Sequence, residues 1–446
     1  GRRMVEWKTT RVSEFLKERE GRYKPTDPAV LDLKRLNKID FTGEIHLSDK
    51  NSKTNMIIVE PGDLVISGIN VSKGAIAVYH GEEPVAATIH YSSYEFDEEK
   101  IEIEYFKRFV KSQSFVQSLK EQVKGGIKTE IKPKHFLPLK ICLPDIDSQK
   151  EIVSFFNRVE DDMAELSNEI ECQQGYFKKF RQQILQEAIE GKLTAEWRVN
   201  NPKLISGDNH ALKLLEKIKA EKEKLFKEKK IKKQKPLAPI IDDEKPFDLP
   251  DGWVWCRLGN LSLKIGSGST PRGSNYSTKG IPFFRSQNIH DRGLVYNDIK
   301  FISDDIHRKM KGTVVQCDDV LLNITGGSLG RCALVPSDFS EGNVSQHVCI
   351  IRGIKINHKY LHIVMLSSLS QRMIFNNTTG AGREGLPKYN LEQFVITVPP
   401  LPEQQAIVER VDALKGIIDE LEKQVTERKE QSQMLMQSVL KEAFES

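Results

Sequence analysis

A chain of 446 residues is long enough for two or three folded units with cores of their own, which excludes a small disulfide-stapled scaffold. With 29% charged and 38% hydrophobic residues it sits near ordinary globular usage, which excludes wholesale disorder. A net charge of only +4 excludes a uniformly basic surface, so positive charge meant for an acidic partner must lie in defined loops or grooves.

Gly1–Arg3 before Met4 read as a remnant outside the fold, with Met4 as the start. No apolar run approaches the roughly 18 residues of a membrane span, and none follows the basic start, so no signal peptide and a cytoplasmic location are expected. Residues 4–148 read as a mixed α and β unit, with short strands such as Met56–Val59 and Leu64–Ile66 between Gly-rich polar loops. Lys73 lies on one such loop. A second, from Gly125 to Lys134, gathers Lys128, Thr129, Lys132 and Lys134 behind Lys124, which suits phosphate contact. Its Glu130-x-Lys132 triplet hints at a metal-dependent nuclease, but no aspartate stands at a convincing spacing.

Residues 149–198 are expected to form a long helix. Ile152, Phe156, Val159, Met163, Leu166 and Ile170 step by four and three, and Phe177, Phe180 and Ile184 resume the series, so they trace a heptad seam. At residues 199–248 a polar start leads into eleven Lys against four Glu between 213 and 235, read as an exposed basic helix followed by an extended linker. A second globular unit, 249–403, opens at the turn Leu249-Pro250-Asp251-Gly252-Trp253. Its polar loops carry Ser269, Thr270 and Arg272 beside Gly266 and Gly268; Arg285, Gln287 and Asn288; Arg331; Gln346 and His347; and Arg383 and Lys388. Arg, Gln and Asn are the side chains whose paired groups match base edges, and the cations suit phosphates. Residues 404–446 repeat the seam with Ile407, Val411, Leu414, Ile418, Leu421, Val425 and Leu435.

The chain matches itself at an offset of 255 residues. Ile141-x-Leu143-Pro144 and Gln149-x-x-Ile152-Val153 recur as Ile396-x-Val398-Pro399 and Gln404-x-x-Ile407-Val408, and Asp63-Leu64-Val65-Ile66 returns at 256 as Asp319-Val320-Leu321-Leu322. Two helices of about 40 residues, each about 60 Å long, are therefore expected to pair, antiparallel if a pseudo-twofold axis relates the halves. The fold class expected is α+β, two mixed α/β units joined by a helical coiled coil in an internal repeat.

Catalytic signatures are lacking. The Gly266–Pro271 loop has no Gly-Lys-Ser/Thr ending for a nucleotide, and Val398-Pro399-Pro400-Leu401 lacks the polar and aromatic ends of an adenine methyltransferase motif. Six cysteines form no Cys-x-x-Cys pair, so buried reduced thiols are expected, and His358 and His362, four apart, have no acidic residue between them to complete a zinc-protease motif. No metal site is expected.

The strings Glu190-Gly191-Lys192-Leu193-Thr194-Ala195-Glu196-Trp197-Arg198, Pro399-Pro400-Leu401-Pro402-Glu403-Gln404-Gln405 and Leu249-Pro250-Asp251-Gly252-Trp253, with the duplication, resemble the specificity subunit of type I restriction-modification enzymes. The resemblance implies two target recognition domains, each reading half of a two-part asymmetric DNA site, with a spacer set by the helices to at most about 18 base pairs. It also implies a non-catalytic chain that holds two DNA-methyltransferase and two ATP-dependent restriction subunits. The assembled complex would be a DNA adenine methyltransferase and site-specific deoxyribonuclease, its S-adenosylmethionine, ATP and magnesium held by the partners. A coiled-coil adaptor that reads no DNA is the alternative.

Overall fold

The computed structural model describes residues 7–50, 52–123, 130–271, 273, 276–378 and 385–444. Two compact units emerge: one uses the chain up to Glu171 together with Val425 onward, the other runs from Cys172 to Gln424. Among the described residues no helix is long and apolar enough to cross a membrane.

In the first unit, Trp7–Arg11 pairs antiparallel with Lys140–Pro144, tying the start of the fold to the strand that leads into the long helix. One four-stranded sheet runs in the order Leu16–Glu18, Tyr91–Phe96, Leu64–Ser67, Ile76–Val78, all antiparallel. The other runs Ile45–Ser48, Arg35–Ile39, Val85–Thr88, Met56–Val59, with its parallel pair in the middle. Leu64–Ser67 is buried along its whole length, as an interior strand with a continuous apolar run should be. Aromatic rings of Phe15, Phe106, Phe109, Phe115 and Phe136 fill the core beside it.

The second unit repeats this plan and adds a short hairpin, Ile289–His290 with Gly293–Leu294. Val254–Arg257 pairs with Val395–Val398. Ser262–Ser267, Val348–Gly353, Val320–Asn323 and Cys332–Leu334 form the antiparallel sheet. Lys300–Ile302, Ile281–Phe284, Gly342–Val344 and Val314–Val315 form the mixed one, again with the parallel pair central. The weak sequence echo upstream of the helices is thus a duplication of the entry pair and both four-stranded sheets.

One glutamine in each unit joins the sheet to its helix. The Gln149 amide donates to the Pro144 carbonyl (2.8 Å) and its oxygen accepts from the Glu102 backbone (2.9 Å). Gln404 does the same with Pro399 (2.9 Å) and Asn357 (2.8 Å), every partner shifted by 255. Both glutamines are buried, so each satisfies backbone groups that water cannot reach.

The long helices span Ile146–Ile189 and Leu401–Ala443. In the first unit Phe156 stacks on Phe444 (ring centroids 5.5 Å apart) and Met163 meets Ser432 (2.9 Å), so one helix advances as the other retreats. In the second unit Arg181 bonds Asp419 (2.6 Å) and Glu422 (2.8 Å), while Leu185, Ala188 and Ile189 share a core with Ile407 and Val411, again antiparallel. The expected seam drifts, however. Phe156, Ile170, Phe177, Ile407, Val411, Ile418 and Val425 are buried and Ile152, Val159, Met163, Leu166 and Leu414 half-buried, but Leu421 is 44% exposed and Leu435 65%. Glu422 and Met436 take the inward positions instead. A strict heptad lags a 3.6-residue turn by about 20° per repeat, and without continuous supercoiling the stripe slips by one residue.

The lysine-rich segment is less exposed than its composition suggests. Helix Ala211–Lys227 buries Ala211, Leu214 and Ile218 in the second core. The stretch that follows is anchored by Arg257, which donates to the carbonyls of Ala238 (3.1 Å) and Pro239 (2.9 Å) and pairs with Glu244 (2.6 Å). All six cysteines are free; Cys256, Cys332 and Cys349 are buried, whereas Cys172 and Cys317 are exposed, so the expectation of buried thiols holds for half of them. Burial pushes the Cys256 and Cys349 thiols up to about 12.

Candidate nucleic-acid interface

The three strings behind the family resemblance converge on one buried carboxylate. Glu403, fully buried, accepts from the Arg198 guanidinium (2.6 Å), the Thr194 hydroxyl (2.7 Å) and the Trp253 indole (2.8 Å). Gly191 closes the first long helix at φ +74°, where a side chain is strained, and a Cβ there would lie 2.6 Å from Pro250 and 3.1 Å from the Trp253 ring. At Gly252, φ +87°, an added Cβ would lie 2.6 Å from the Ile205 carbonyl. These motifs therefore lock the helix end onto the second unit.

The exposed polar residues lie elsewhere, on loops at the ends of the interior strands. In the second unit Ser269 is tethered through its backbone to Val344 (3.1 Å), and Ile324 donates to His347 (3.0 Å). Leu386 donates to Ile324 (2.9 Å), and Ser345 donates to Phe284 (2.9 Å). This ladder brings Ser269, Thr270, Gln287, Gln346 and His347 onto loops at the strand ends with their side chains exposed. Thr325, which the sequence did not single out, joins them: its hydroxyl meets His347 Nδ1 at 2.7 Å. Arg331 is exposed on the loop after Gly330, and Lys388 is exposed beside Glu392 (3.4 Å).

Two sequence candidates are engaged internally. Asn288 is buried, its amide donating to the Val295 (2.9 Å) and Asn297 (3.1 Å) carbonyls while its oxygen accepts from the Arg285 backbone (3.0 Å). Arg285 in turn donates to the Asp298 carbonyl (2.8 Å). Both brace the turn that displays Gln287.

In the first unit the equivalent rim carries exposed Lys132 and Lys134 at the start of the short helix Pro133–Phe136. Ile131 is held by a backbone bond to Gly68 (2.8 Å), as Leu386 is held to Ile324. Lys73 is exposed with its ammonium 5.6 Å from the Phe41 ring. Lys124, Lys128, Thr129, Arg272 and Arg383 lie outside the described residues.

Other charged groups are structural. Arg19 clamps buried Asp63 (2.6 and 2.7 Å), and Arg352 clamps Asp319 at the equivalent turn (2.7 and 2.7 Å). Lys222 is turned inward onto the carbonyls of Gly259 (2.9 Å), Asn260 (3.2 Å) and Ser262 (3.0 Å), and burial pulls its ammonium down to about 8. His358 and His362 take separate partners: His358 lies 3.2 Å from Asp318, and His362 faces the Cys332 carbonyl (2.8 Å) with its imidazole held down to about 4 by burial.

Residues 250–431 match the family model described as "Type I restriction modification DNA specificity domain". The EcoAI specificity subunit of Escherichia coli is 30% identical over 270 residues, covering 59% of this chain and 44% of that subunit. The StySPI specificity subunit of Salmonella potsdam is 22% identical over 393 residues, 86% of this chain and 74% of that one. The chain thus spans less than half the length of the EcoAI subunit and, at 43%, of the EcoEI subunit. Among solved structures, the HsdS subunit from Thermoanaerobacter tengcongensis shares the fold with a TM-score of 0.54 at 18% identity, over 98% of this chain and 96% of that one. A chain from work on assembly and conformational transition of the type I R-M system has a TM-score of 0.61 at 17% identity, with 99% of both chains covered. Residues 250–431 thus match a type I restriction-modification DNA specificity domain, and the chain as a whole resembles the specificity subunits of those systems in sequence and in fold.

Proposed function

We propose that this chain is the DNA-specificity subunit of a type I restriction-modification enzyme, each unit reading one half of a two-part asymmetric site. The observation that carries this is the duplicated strand order combined with unlike rims: one frame is used twice, and the exposed residues at the strand ends differ between the copies. Residues 4–148 and 249–403 are the two recognition domains, residues 149–198 and 404–446 the helices between half-sites, and 199–248 a basic brace on the second. The candidate DNA contacts are Lys73, Lys132 and Lys134 in the first unit and Ser269, Thr270, Gln287, Arg331, Gln346, His347 and Lys388 in the second, all exposed. Cations among them neutralise phosphates and the amides and hydroxyls meet base edges.

The chain is non-catalytic in this reading. Methyl transfer and ATP-driven cleavage belong to two modification and two restriction subunits, which bring S-adenosylmethionine, ATP and magnesium. Phe180 and Leu435, exposed at positions 255 apart on the two long helices, give identical partners equivalent places to dock. The experiment is a map of methylated adenines in the source cell with and without an in-frame deletion of this chain. Loss of one gapped asymmetric motif is expected. An unchanged map, in cells that express the protein, would overturn the reading in favour of an adaptor that reads no DNA.

A further inference from the structure

One residue of the first unit stands where His347 stands in the second. The Gly68 backbone donates to the His90 carbonyl at 3.0 Å, and the Ile324 backbone donates to the His347 carbonyl at 3.0 Å. From each histidine the chain passes directly into the interior strand, Tyr91–Phe96 or Val348–Gly353. Both imidazoles are exposed, and both are held at Nδ1: His90 by the Glu130 carboxylate (2.9 Å) and His347 by the Thr325 hydroxyl (2.7 Å). Among the described residues no hydrogen bond engages Nε2 of either ring. A ring fixed at one nitrogen presents the other in a set direction, with a polarity governed by the first bond.

The surroundings suit a polar, edge-bearing ligand. His90 lines a cleft of about 360 Å³ with Ser92, where Arg22 and Lys132 stand among Glu18, Glu20 and Glu130. His347 adjoins exposed Gln346 and half-buried Thr325 in the second unit.

We infer that His90 and His347 are equivalent base-reading residues, one per half-site, each presenting Nε2 to a base edge of double-stranded DNA. This rests on the specificity reading above and adds to it the residue that sequence inspection of the first unit passes over. It also gives a reason for unlike half-sites on like frames. An ionised carboxylate only accepts, so Glu130 makes Nδ1 of His90 the donor and leaves Nε2 of the neutral ring an acceptor, suited to the amino group of adenine or cytosine. A threonine hydroxyl can donate to Nδ1 of His347, which turns Nε2–H into a donor suited to purine N7 or O6.

The test uses the chain assembled with its modification subunits, selecting bound duplexes from a library of random 40-base-pair DNA. The intact complex should enrich a two-part motif. His90→Ala should lose about tenfold or more discrimination at one or two positions of one half, and His347→Ala should do the same in the other half only. The untouched half shows in each case that the variant is folded and assembled. Should an alanine variant enrich nothing, His90→Gln and His347→Gln decide: an altered base preference confined to one half supports the inference, and an unaltered motif overturns it. Alanine variants with the intact motif, or either one blurring both halves, also overturn it. An intact complex that enriches no two-part motif overturns the specificity reading itself.

Discussion

The first and second units differ least where the backbone is being satisfied and most where side chains face water. Gln149 and Gln404 make the same two bonds, and Asp63 and Asp319 occupy the same turn, each accepting from the backbone three residues earlier, Glu60 at 3.1 Å and Gln316 at 2.8 Å. The arginine facing each aspartate, however, comes from different strands, Arg19 after the edge strand and Arg352 within the interior one. The helix start differs as well: Glu403 is the hub of a buried cluster, whereas its counterpart, half-buried Ser148, merely caps against Asp145 (2.8 Å). A frame fixed by buried backbone bonds tolerates exchange of charged partners so long as each buried charge keeps one, and the rims, bound by no such requirement, are free to differ.

That contrast can be broken most forcefully at Glu403. Glu403→Ala leaves Arg198 mostly buried without its acceptor and should cost about 3 kcal/mol of unfolding free energy in urea, with hydrogen exchange placing the loss in residues 172–424. Ser148→Ala should cost less than about 1 kcal/mol. Comparable losses would mean that Glu403 is not the hub described.

Next come the shared clamps. Gln149→Ala and Gln404→Ala should each cost about 2 kcal/mol, for two backbone bonds apiece, and the two losses should agree within about 0.5 kcal/mol. A large inequality in matched urea titrations would say that the glutamines do different work in the two units.

Acid should then separate the units. Burial holds His362 down to about 4, below the ordinary histidine value of about 6.5, so the unfolded chain binds the extra proton first as pH falls. The stability that this neutral ring preserves is complete above about pH 6.5 and is lost as pH drops toward 4, by about 2 kcal/mol given that the ring edge borders a cleft. The first unit has Lys107 at the matching position, so only the second should show this slope, and His362→Gln should flatten it. An identical acid slope in that variant would assign the effect elsewhere.

The smallest effects distinguish DNA binding from support. Asn288→Ala should lower stability by about 1 kcal/mol through the freed Val295 and Asn297 carbonyls, with an unchanged salt dependence of DNA binding. Lys132→Ala with Lys134→Ala should leave stability within about 0.5 kcal/mol and flatten the slope of log affinity against log salt by up to about 0.9 for each phosphate no longer neutralised. The reverse pattern in binding titrations across salt would exchange the two roles.

How much of this is legible in the sequence follows from the same division. The 255-residue repeat, the paired glutamines and the long helices can be read because buried backbone bonds and apolar stripes impose spacing. Leu421 and Leu435 depart from the expected seam because a heptad template ignores the slip of an unsupercoiled helix. Asn288 mimics a base reader because an amide serving its own turn has the same letter as one serving DNA. His90 leaves no signal: its counterpart lies 257 residues on, outside the offset that aligns the helices, and its equivalence exists only in the hydrogen bonds of Gly68 and Ile324.

The central claim, one frame reading two half-sites independently, is tested most directly by replacing residues 258–394 with a second copy of residues 12–139 and mapping methylated adenines in cells that keep their modification subunit and have this variant as their sole specificity chain. The account predicts a methylated motif in which both halves carry the bases formerly read by the first unit. Persistence of the original asymmetric motif would contradict it, because the second set of bases would then be read by something other than the second unit.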